Sequence, residues 1–221
     1  MKRECPNRPV VRIMDNCGMR NGSGTKGEST QYTKGERWER GGYMIYYSML
    51  NRPEEKYDRM YYSYADKSFT KLTTPRILFD WGYATIDADI NFLKSDGLYH
   101  MLIKKEGGKP GIYTATSKYL NHGWGEPVEN DYVSFEGRKN CEGSSAFQLI
   151  GDDTWRVAYI QYHDNPKHYR ICKADKYLRN FSDPVDIKGV TAPQHGSFMR
   201  ITKKEYNSLL KWDKELKNKK K

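Results

Sequence analysis

The chain has 221 residues, a formal net charge of +10, 18 tyrosines and 5 tryptophans, long enough to bury a core and rich in the residues that favour strands over helices. No run of about 18 apolar residues occurs, so no helical membrane span is expected, and "MKRECPNRPVVRIMDNCG" lacks the continuous apolar core of a secretion signal. Nor does the charge favour nucleic acid as a partner: residues 1–40 carry +4, residues 203–221 carry +5 and residues 41–202 about +1, so the basicity sits in solvated ends and not on a folded face.

Residues 1–37 read as a polar, basic segment of no recognisable fold. Within it "GSGTKGE" does not make a P-loop, because Glu28 follows the last glycine where Lys and Ser/Thr are needed. Asp15, in "RIMDNCG", is the only aspartate of the first 57 residues and carries no strand-repeat signature. The four cysteines, Cys5, Cys17, Cys141 and Cys172, have neither C-x-x-C nor metal-type spacing, and unpaired thiols are expected.

From residue 38 the chain repeats with a period of about 55 residues. "GGYMIYYSM" leads to "RMYYSYADKSFTKLTTP", "DGLYHMLIKK" to "GIYTATSKYLNHGWGEP", and "DTWRVAYIQY" to "HYRICKADKYLRNFSDP". Their first aromatics, Tyr43, Tyr99 and Trp155, are spaced 56 and 56, and the closing prolines, Pro75, Pro127 and Pro184, 52 and 57. Equivalent turns fall at Ala65-Asp66, Thr116-Ser117 and Ala174-Asp175. Each unit reads as strand, polar turn, strand, with hairpins near 43–64, 98–116 and 154–173. The last two have a further strand ahead, "ATIDADINFL" and "CEGSSAFQLI". Four antiparallel strands per unit of this length predict the blades of an all-β propeller. A β-sandwich with accidental spacing is the competing architecture. The only helical stretch is "TKKEYNSLLKWDKELKN", with Thr202 and Glu205 placed for a capping box and Tyr206, Leu209, Leu210 and Leu216 for a modest apolar face. The domain layout is therefore 1–37, a partial propeller over 38–201, and a helix with a basic tail over 202–221.

Two acids mark the inner strands. Asp87 lies 12 residues before Tyr99 and Glu142 lies 13 before Trp155, near the starts of strands that line one end of a propeller's channel. Desolvation in such a site raises a carboxyl pKa, the condition a general acid needs. Paired carboxylates in an axial pocket suit glycoside hydrolysis. They also suit backbone hydrogen bonding or cation binding. The small residues Gly143, Ser144 and Ser145 are expected to leave room for a ligand beside Glu142. His163 and His168, in "HDNPKH", sit on a hairpin turn, where a solvated role outweighs a metal-binding one.

The segments "IDADI", "CEGSSAF" and "APQHGSFMRITKKEYNSL" together resemble glycoside hydrolase family 43 over roughly residues 38 to 212. That resemblance implies a five-bladed propeller, of which this chain carries three recognisable blades, and inverting hydrolysis of α-L-arabinofuranosyl or β-D-xylosyl linkages in plant-type polysaccharides. It implies Glu142 as general acid and Asp87 as the aspartate that orients it and tunes its pKa. His195 becomes the axial histidine, often beside a calcium ion or water cluster. No cofactor is required, and a structural calcium is the one candidate ion. Trp81 and Tyr83, with Trp124, are candidates for stacking sugar rings, with inter-blade packing as the alternative for each.

The general base of an inverting pair stands about 6.5–9.5 Å from the acid, and its place in this sequence is unknown. Asp15 is a poor fit, and the first-repeat position equivalent to Asp87 falls near Thr30 and Gln31, which are not acids. A truncated or frameshifted enzyme, completed by a companion segment that supplies the missing blades, is one expectation. A catalytically inactive carbohydrate-binding propeller fragment is the other. Family relatives often work outside the cytoplasm, but the sequence leaves localisation open.

Overall fold

The structure, a computed structural model, describes residues 43–50, 55–66, 68–128, 141–162, 167–190, 192–198 and 200–219, together with the backbone of residues 12–15. Three antiparallel sheets follow one another. The first comprises β1 (Arg12–Asp15), β2 (Tyr43–Met49), β3 (Arg59–Ala65) and β4 (Arg76–Phe79). The second comprises β5 (Thr85–Leu93), β6 (Leu98–Lys105) and β7 (Gly111–Ser117). The third comprises β8 (Cys141–Gln148), β9 (Trp155–Gln161), β10 (His168–Ala174) and β11 (Val185–Asp186). Neighbours in space are consecutive in sequence throughout, so each sheet is a meander, with short hairpin connections from β2 to β3, β5 to β6, β6 to β7, β8 to β9 and β9 to β10.

The turns repeat chemically as well as by position. In the first sheet the Asp66 carboxylate accepts the Thr70 and Lys71 amides at 2.7 and 3.1 Å. In the third, Asp175 accepts those of Tyr177 and Arg179 at 2.8 and 3.0 Å. Ser117 takes that place in the second, accepting the Tyr119 N–H at 3.0 Å and donating to the His122 carbonyl at 2.7 Å. A short polar side chain that satisfies its own turn is what Asp and Ser supply here. The hydrogen bonds from Thr70 and its neighbours hold the Asp66 carboxyl down at about 2.

The second sheet is packed on both faces. Met101 and Ile103 of β6 point towards Met44, Tyr46, Met60 and Tyr62 of the first sheet. Leu102 joins Trp155, Val157, Tyr159 and Cys172 of the third. Burial on both sides explains why "HMLIK" reads as a run and not as an alternation. Cys141 and Cys172 are buried and unpaired, as expected of them; Cys5 and Cys17 lie outside the described residues. Burial pushes the Cys172 thiol up to about 12.

Three expectations are corrected. Residues 12–15, assigned to a segment without fold, pair with β2 from Arg12 opposite Tyr46 to Asp15 opposite Tyr43. The strand is four residues long and far from its partner in sequence, so no hairpin signal marked it. Thr30 and Gln31, read as the first-repeat position equivalent to Asp87, lie outside the described residues. The second sheet has three strands among the described residues, not four. After β7 the chain turns inward instead, burying Trp124, whose Nε1 donates to the Leu120 carbonyl at 3.1 Å. The third correction concerns α1 (Lys203–Lys219). It forms with its capping box intact, Glu205 Oε2 accepting the Thr202 N–H at 2.7 Å and Thr202 Oγ1 accepting the Glu205 N–H at 3.2 Å. Yet none of its residues is buried, so its apolar face packs on nothing described. The helix is also too polar to cross a membrane.

Ile103→Ala removes a fully buried side chain from between two sheets and is expected to cost about 2–5 kcal/mol in urea denaturation. At pH 8 Cys172 should resist iodoacetamide in the native chain and react after denaturation, read by peptide mass spectrometry. Rapid native labelling would contradict the packing of the second sheet on the third.

Candidate active site

β5 and β8 are edge strands of their sheets and lie against one another. Their facing edges cannot form a ladder, and two aspartates on β5 take its place. Asp87 Oδ2 accepts the Gly143 N–H at 3.2 Å, and Asp89 Oδ2 accepts the Ala146 N–H at 2.7 Å. Both strands carry a bulge at this level, between Ile86 and Asp89 in one and between Glu142 and Ser145 in the other. Each bulge contains a left-handed residue, Asp87 at φ 57° and Gly143 at φ 62°. Aspartate and glycine are among the residues that tolerate that conformation.

The two strands share the same bulge, so the unequal spacing of 12 and 13 residues in the sequence reflects a one-residue offset between the acids themselves. Glu142 occupies a ladder position opposite Ile160, and the equivalent residue in the second sheet is Ile86, opposite Lys104. Asp87 corresponds instead to Gly143. The acids are one residue out of step, and the bulge re-aims Asp87 towards the site.

His195 completes the cluster. Its Nε2 lies 3.3 Å from Glu142 Oε1 and 3.5 Å from Asp87 Oδ2. Asp87 is buried, whereas Glu142 and His195 remain about a quarter exposed. The glycines of the two motifs have steric reasons. A Cβ on Gly143 would stand 2.5 Å from His195 Cδ2, and one on Gly196 would collide with the Tyr169 hydroxyl. The space expected beside Glu142 is thus filled by the imidazole, while Ser144 and Ser145 are buried and open no room for a ligand. One atom each of Asp87, Glu142 and His195 lie within 4.8 Å of one another, a donor set that a divalent cation could use. For calcium, which takes six to eight oxygens, two carboxylates and an imidazole nitrogen are a poor fit without several waters.

A second tier of charge went unread in the sequence. Lys104, at the end of β6, is fully buried, and its Nζ donates to the Cys141 carbonyl at 2.8 Å. Glu106 Oε1 stands 3.9 Å from that Nζ and the Tyr162 ring 5.6 Å. Burial lowers the Lys104 pKa, against the attraction of Glu106 and then Glu142. Burial also raises Glu106 and pushes the Tyr162 phenol up to about 12, with Glu142 as the largest charge acting on the latter. The available signal was a lysine closing an otherwise apolar strand.

Several candidates belong elsewhere. Trp81 stacks on Phe79 at 4.0 Å and donates to the Trp124 carbonyl at 3.3 Å, so it packs against the core between the first two sheets. Tyr83 leans on Trp81 at 6.3 Å under the Lys105 ammonium, 4.3 Å from its ring. Burial and then Glu126 raise its phenol pKa strongly. For Trp81, Tyr83 and Trp124 the contacts described are those of the packing alternative. His168 pairs with Asp186 at 2.8 Å; His163 lies outside the described residues. Asp15 stands opposite Tyr43, the first residue of β2, whereas Glu142 stands opposite Ile160, the sixth of β9. It therefore occupies the other end of its strand.

Residues 32–207 match the family described as Probable glycosyl hydrolase domain, a group related to glycoside hydrolase family 43. The chain belongs to this family. No curated protein matches this family 43-related chain. Among solved structures it resembles the catalytic domain of the GH62 alpha-L-arabinofuranosidase of Coprinopsis cinerea, with a TM-score of 0.51 and 13% identity over 72% of this chain and 52% of that one. An alpha-L-arabinofuranosidase from Podospora anserina in complex with cellotriose gives 0.49 and 11% over 72% and 52%. An endo-1,4-beta-xylanase from Bacteroides thetaiotaomicron gives 0.49 and 15% over 71% and 56%. At such identities the likeness speaks for the fold. The chain spans about half the length of these solved chains.

Gly143→Ala should displace His195 and force a left-handed alanine, at a backbone cost of about 1–2 kcal/mol. The expected readout is a shift of the His195 ring resonances in NMR with the remaining amide spectrum largely unchanged. An unshifted ring would show that the imidazole does not sit against Gly143.

Proposed function

We propose that the three sheets are blades of a β-propeller, and that the chain carries the acid half of an inverting glycoside hydrolase acting on α-L-arabinofuranosyl or β-D-xylosyl linkages. The observation that carries this reading is the convergence of Glu142, His195 and buried Asp87 in a chain of a glycosyl hydrolase family. In this reading Glu142 delivers its proton to the glycosidic oxygen as the C1–O bond breaks. Asp87 keeps the Gly143 amide and the imidazole in place, so the Glu142 carboxyl is presented at a fixed position. Water attacks C1 from the opposite face and gives its proton to a carboxylate about 6.5–9.5 Å away. A calcium ion near His195 is compatible with this reading only with water as most of its shell, and no step requires it.

The position of the base supports a second reading, a carbohydrate-binding propeller fragment without catalysis. Among the described residues the cluster holds two carboxylates, and Asp15 stands at the far end of its strand, opposite Tyr43. The residue that would stand opposite Ser48, the counterpart of Ile160, lies outside the described residues. The hydrolase reading therefore includes a companion segment that supplies further blades and the base. The partner in either reading is an arabinose- or xylose-containing glycan.

Purified chain should hydrolyse 2,4-dinitrophenyl arabinofuranoside or xyloside slowly, and faster when complemented by the upstream half of a family 43 enzyme. Glu142→Gln should cut turnover of substrates with poor leaving groups by roughly 10²–10⁴-fold and that of dinitrophenyl substrates far less. Oligosaccharide binding by calorimetry, with no product from the chain in either setting, would favour the binding module. Equal loss on both leaving groups would remove Glu142 from the acid's role.

A further inference from the structure

We infer that Lys104 is a positioning residue for Glu142: its buried ammonium holds the backbone from which the acid projects. The role rests on the hydrolase reading of Glu142, but the placement stands on the geometry alone. Nζ donates to the carbonyl of Cys141, the residue directly before Glu142, at 2.8 Å. The β8 bulge begins one residue later, after Glu142, so this carbonyl is an anchor just ahead of the point where the chain departs from its ladder. Within the bulge, directly after Glu142, the Gly143 N–H is fixed by Asp87. Glu142 is thus suspended between two side-chain anchors, a cation on its N-terminal side and an anion on its C-terminal side.

The lysine reaches this position from a different sheet. Lys104 stands opposite Ile86, next to the bulge that aims Asp87. Both anchors therefore come from the same level of the second sheet, one from β5 and one from β6. Their relative position is set by that sheet's own ladder and not by the packing between sheets. Glu106, two residues on, and the Tyr162 ring accompany the ammonium at 3.9 and 5.6 Å. A buried lysine is costly unless it is paired and hydrogen-bonded. A core needing only volume at this site would take an aliphatic side chain, as the neighbouring Leu102 and Ile103 do. The Glu142 carboxyl is a quarter exposed and shares its nearest polar contact, His195, with Asp87. Its direction therefore depends on how its backbone is held.

The test compares Lys104→Met, which keeps length and apolar volume, with Lys104→Arg, which keeps charge and donors. The first readout needs no activity: backbone amide and carbonyl NMR shifts of residues 141–143 in the intact chain. Lys104→Met should move these resonances while the spectrum elsewhere and the thermal midpoint change little, and Lys104→Arg should bring them part of the way back. The second readout is turnover of dinitrophenyl and poor-leaving-group glycosides. Lys104→Met should lower turnover of the poor-leaving-group substrate by about tenfold to a hundredfold, the scale of a displacement near 1 Å, and spare the activated one. Unmoved resonances at 141–143, or equal losses on both substrates, overturn the role. Global unfolding of Lys104→Met with full recovery in Lys104→Arg and no leaving-group discrimination also overturns it, reducing Lys104 to a stability residue. If the wild-type chain turns over neither substrate while 141–143 shift as stated, the hydrolase reading falls and the anchoring of Glu142 stands.

Discussion

An inner edge strand must satisfy its amides without a neighbouring strand, and the rest of the site follows from how this chain meets that requirement. β5 and β8 face each other as edges of two different sheets and are not paired in a ladder. Asp87 and Asp89 on β5 accept the Gly143 and Ala146 amides instead. An unpaired buried amide costs about 1–3 kcal/mol, and a carboxylate acceptor makes a stronger hydrogen bond than a carbonyl. The same two bonds join the sheets and fix the position of the bulge in β8. Glu142 precedes that bulge, and His195 fills the space that a side chain at Gly143 would need. Function and cross-sheet adhesion therefore share their residues. Asp87 cannot be understood as an orienting group alone, because it also closes the seam.

The second sheet has a corresponding role in the core. It is the one sheet covered on both faces by the others, and its central strand, β6, contributes to both hydrophobic clusters. Its strands are the most constrained in the chain, so side chains projecting from it are suited to act as fixed references. Asp87, Asp89 and Lys104 all leave from this sheet, and all three contact the backbone of β8. The third sheet carries the acid; the second tells it where to stand. Close-packed interiors transmit small displacements instead of absorbing them, so such an arrangement gains accuracy from the same burial that stabilises the fold.

Much of this was legible in the sequence because the repeat is written in residue types with local consequences. Aromatics begin the second strand of each unit, a polar side chain closes each turn on itself, and prolines end each unit. All of these act within a few residues. The helix was equally visible, since a capping box needs only Thr202 and Glu205. Other features were not readable from local pattern. β1 is four residues long and pairs with a partner almost thirty residues away, so neither turn nor alternation marks it. Among the described residues the chain after β7 turns Trp124 inward and adds no fourth strand to the second sheet, which "NHGWGEP" does not distinguish from a strand. Asp87 and Glu142 were found as a pair, but their difference of one residue in spacing meant that Asp87 is the counterpart of Gly143 and not of Glu142. The role of small residues beside Glu142 was misread for a related reason: vacant volume in the sequence was His195's volume in the fold. Trp81 and Tyr83 show the limit for aromatics, whose composition suits a sugar platform and a core seam equally.

On the proposed hydrolase reading, the separation between acid and base would have a structural basis in this arrangement. Among the described residues, the contacts that position Glu142 are made by the second sheet, the third sheet and the segment that carries His195. The acid's geometry can thus be complete without the first sheet. A base for inversion has the opposite requirement: it must stand across the substrate from Glu142, beyond the reach of β5 and β8. On the first sheet the corresponding level is the one opposite Ser48, while the described part of β1 runs from Tyr46 towards Tyr43 and away from it. Asp15 lies at the end of that course. The two halves of an inverting mechanism are consequently held by different parts of the architecture. Proton donation can be built from two adjacent sheets and their shared seam. Water activation depends on how sheets around the axis are completed, and therefore on a part of the fold that none of the residues positioning Glu142 supplies.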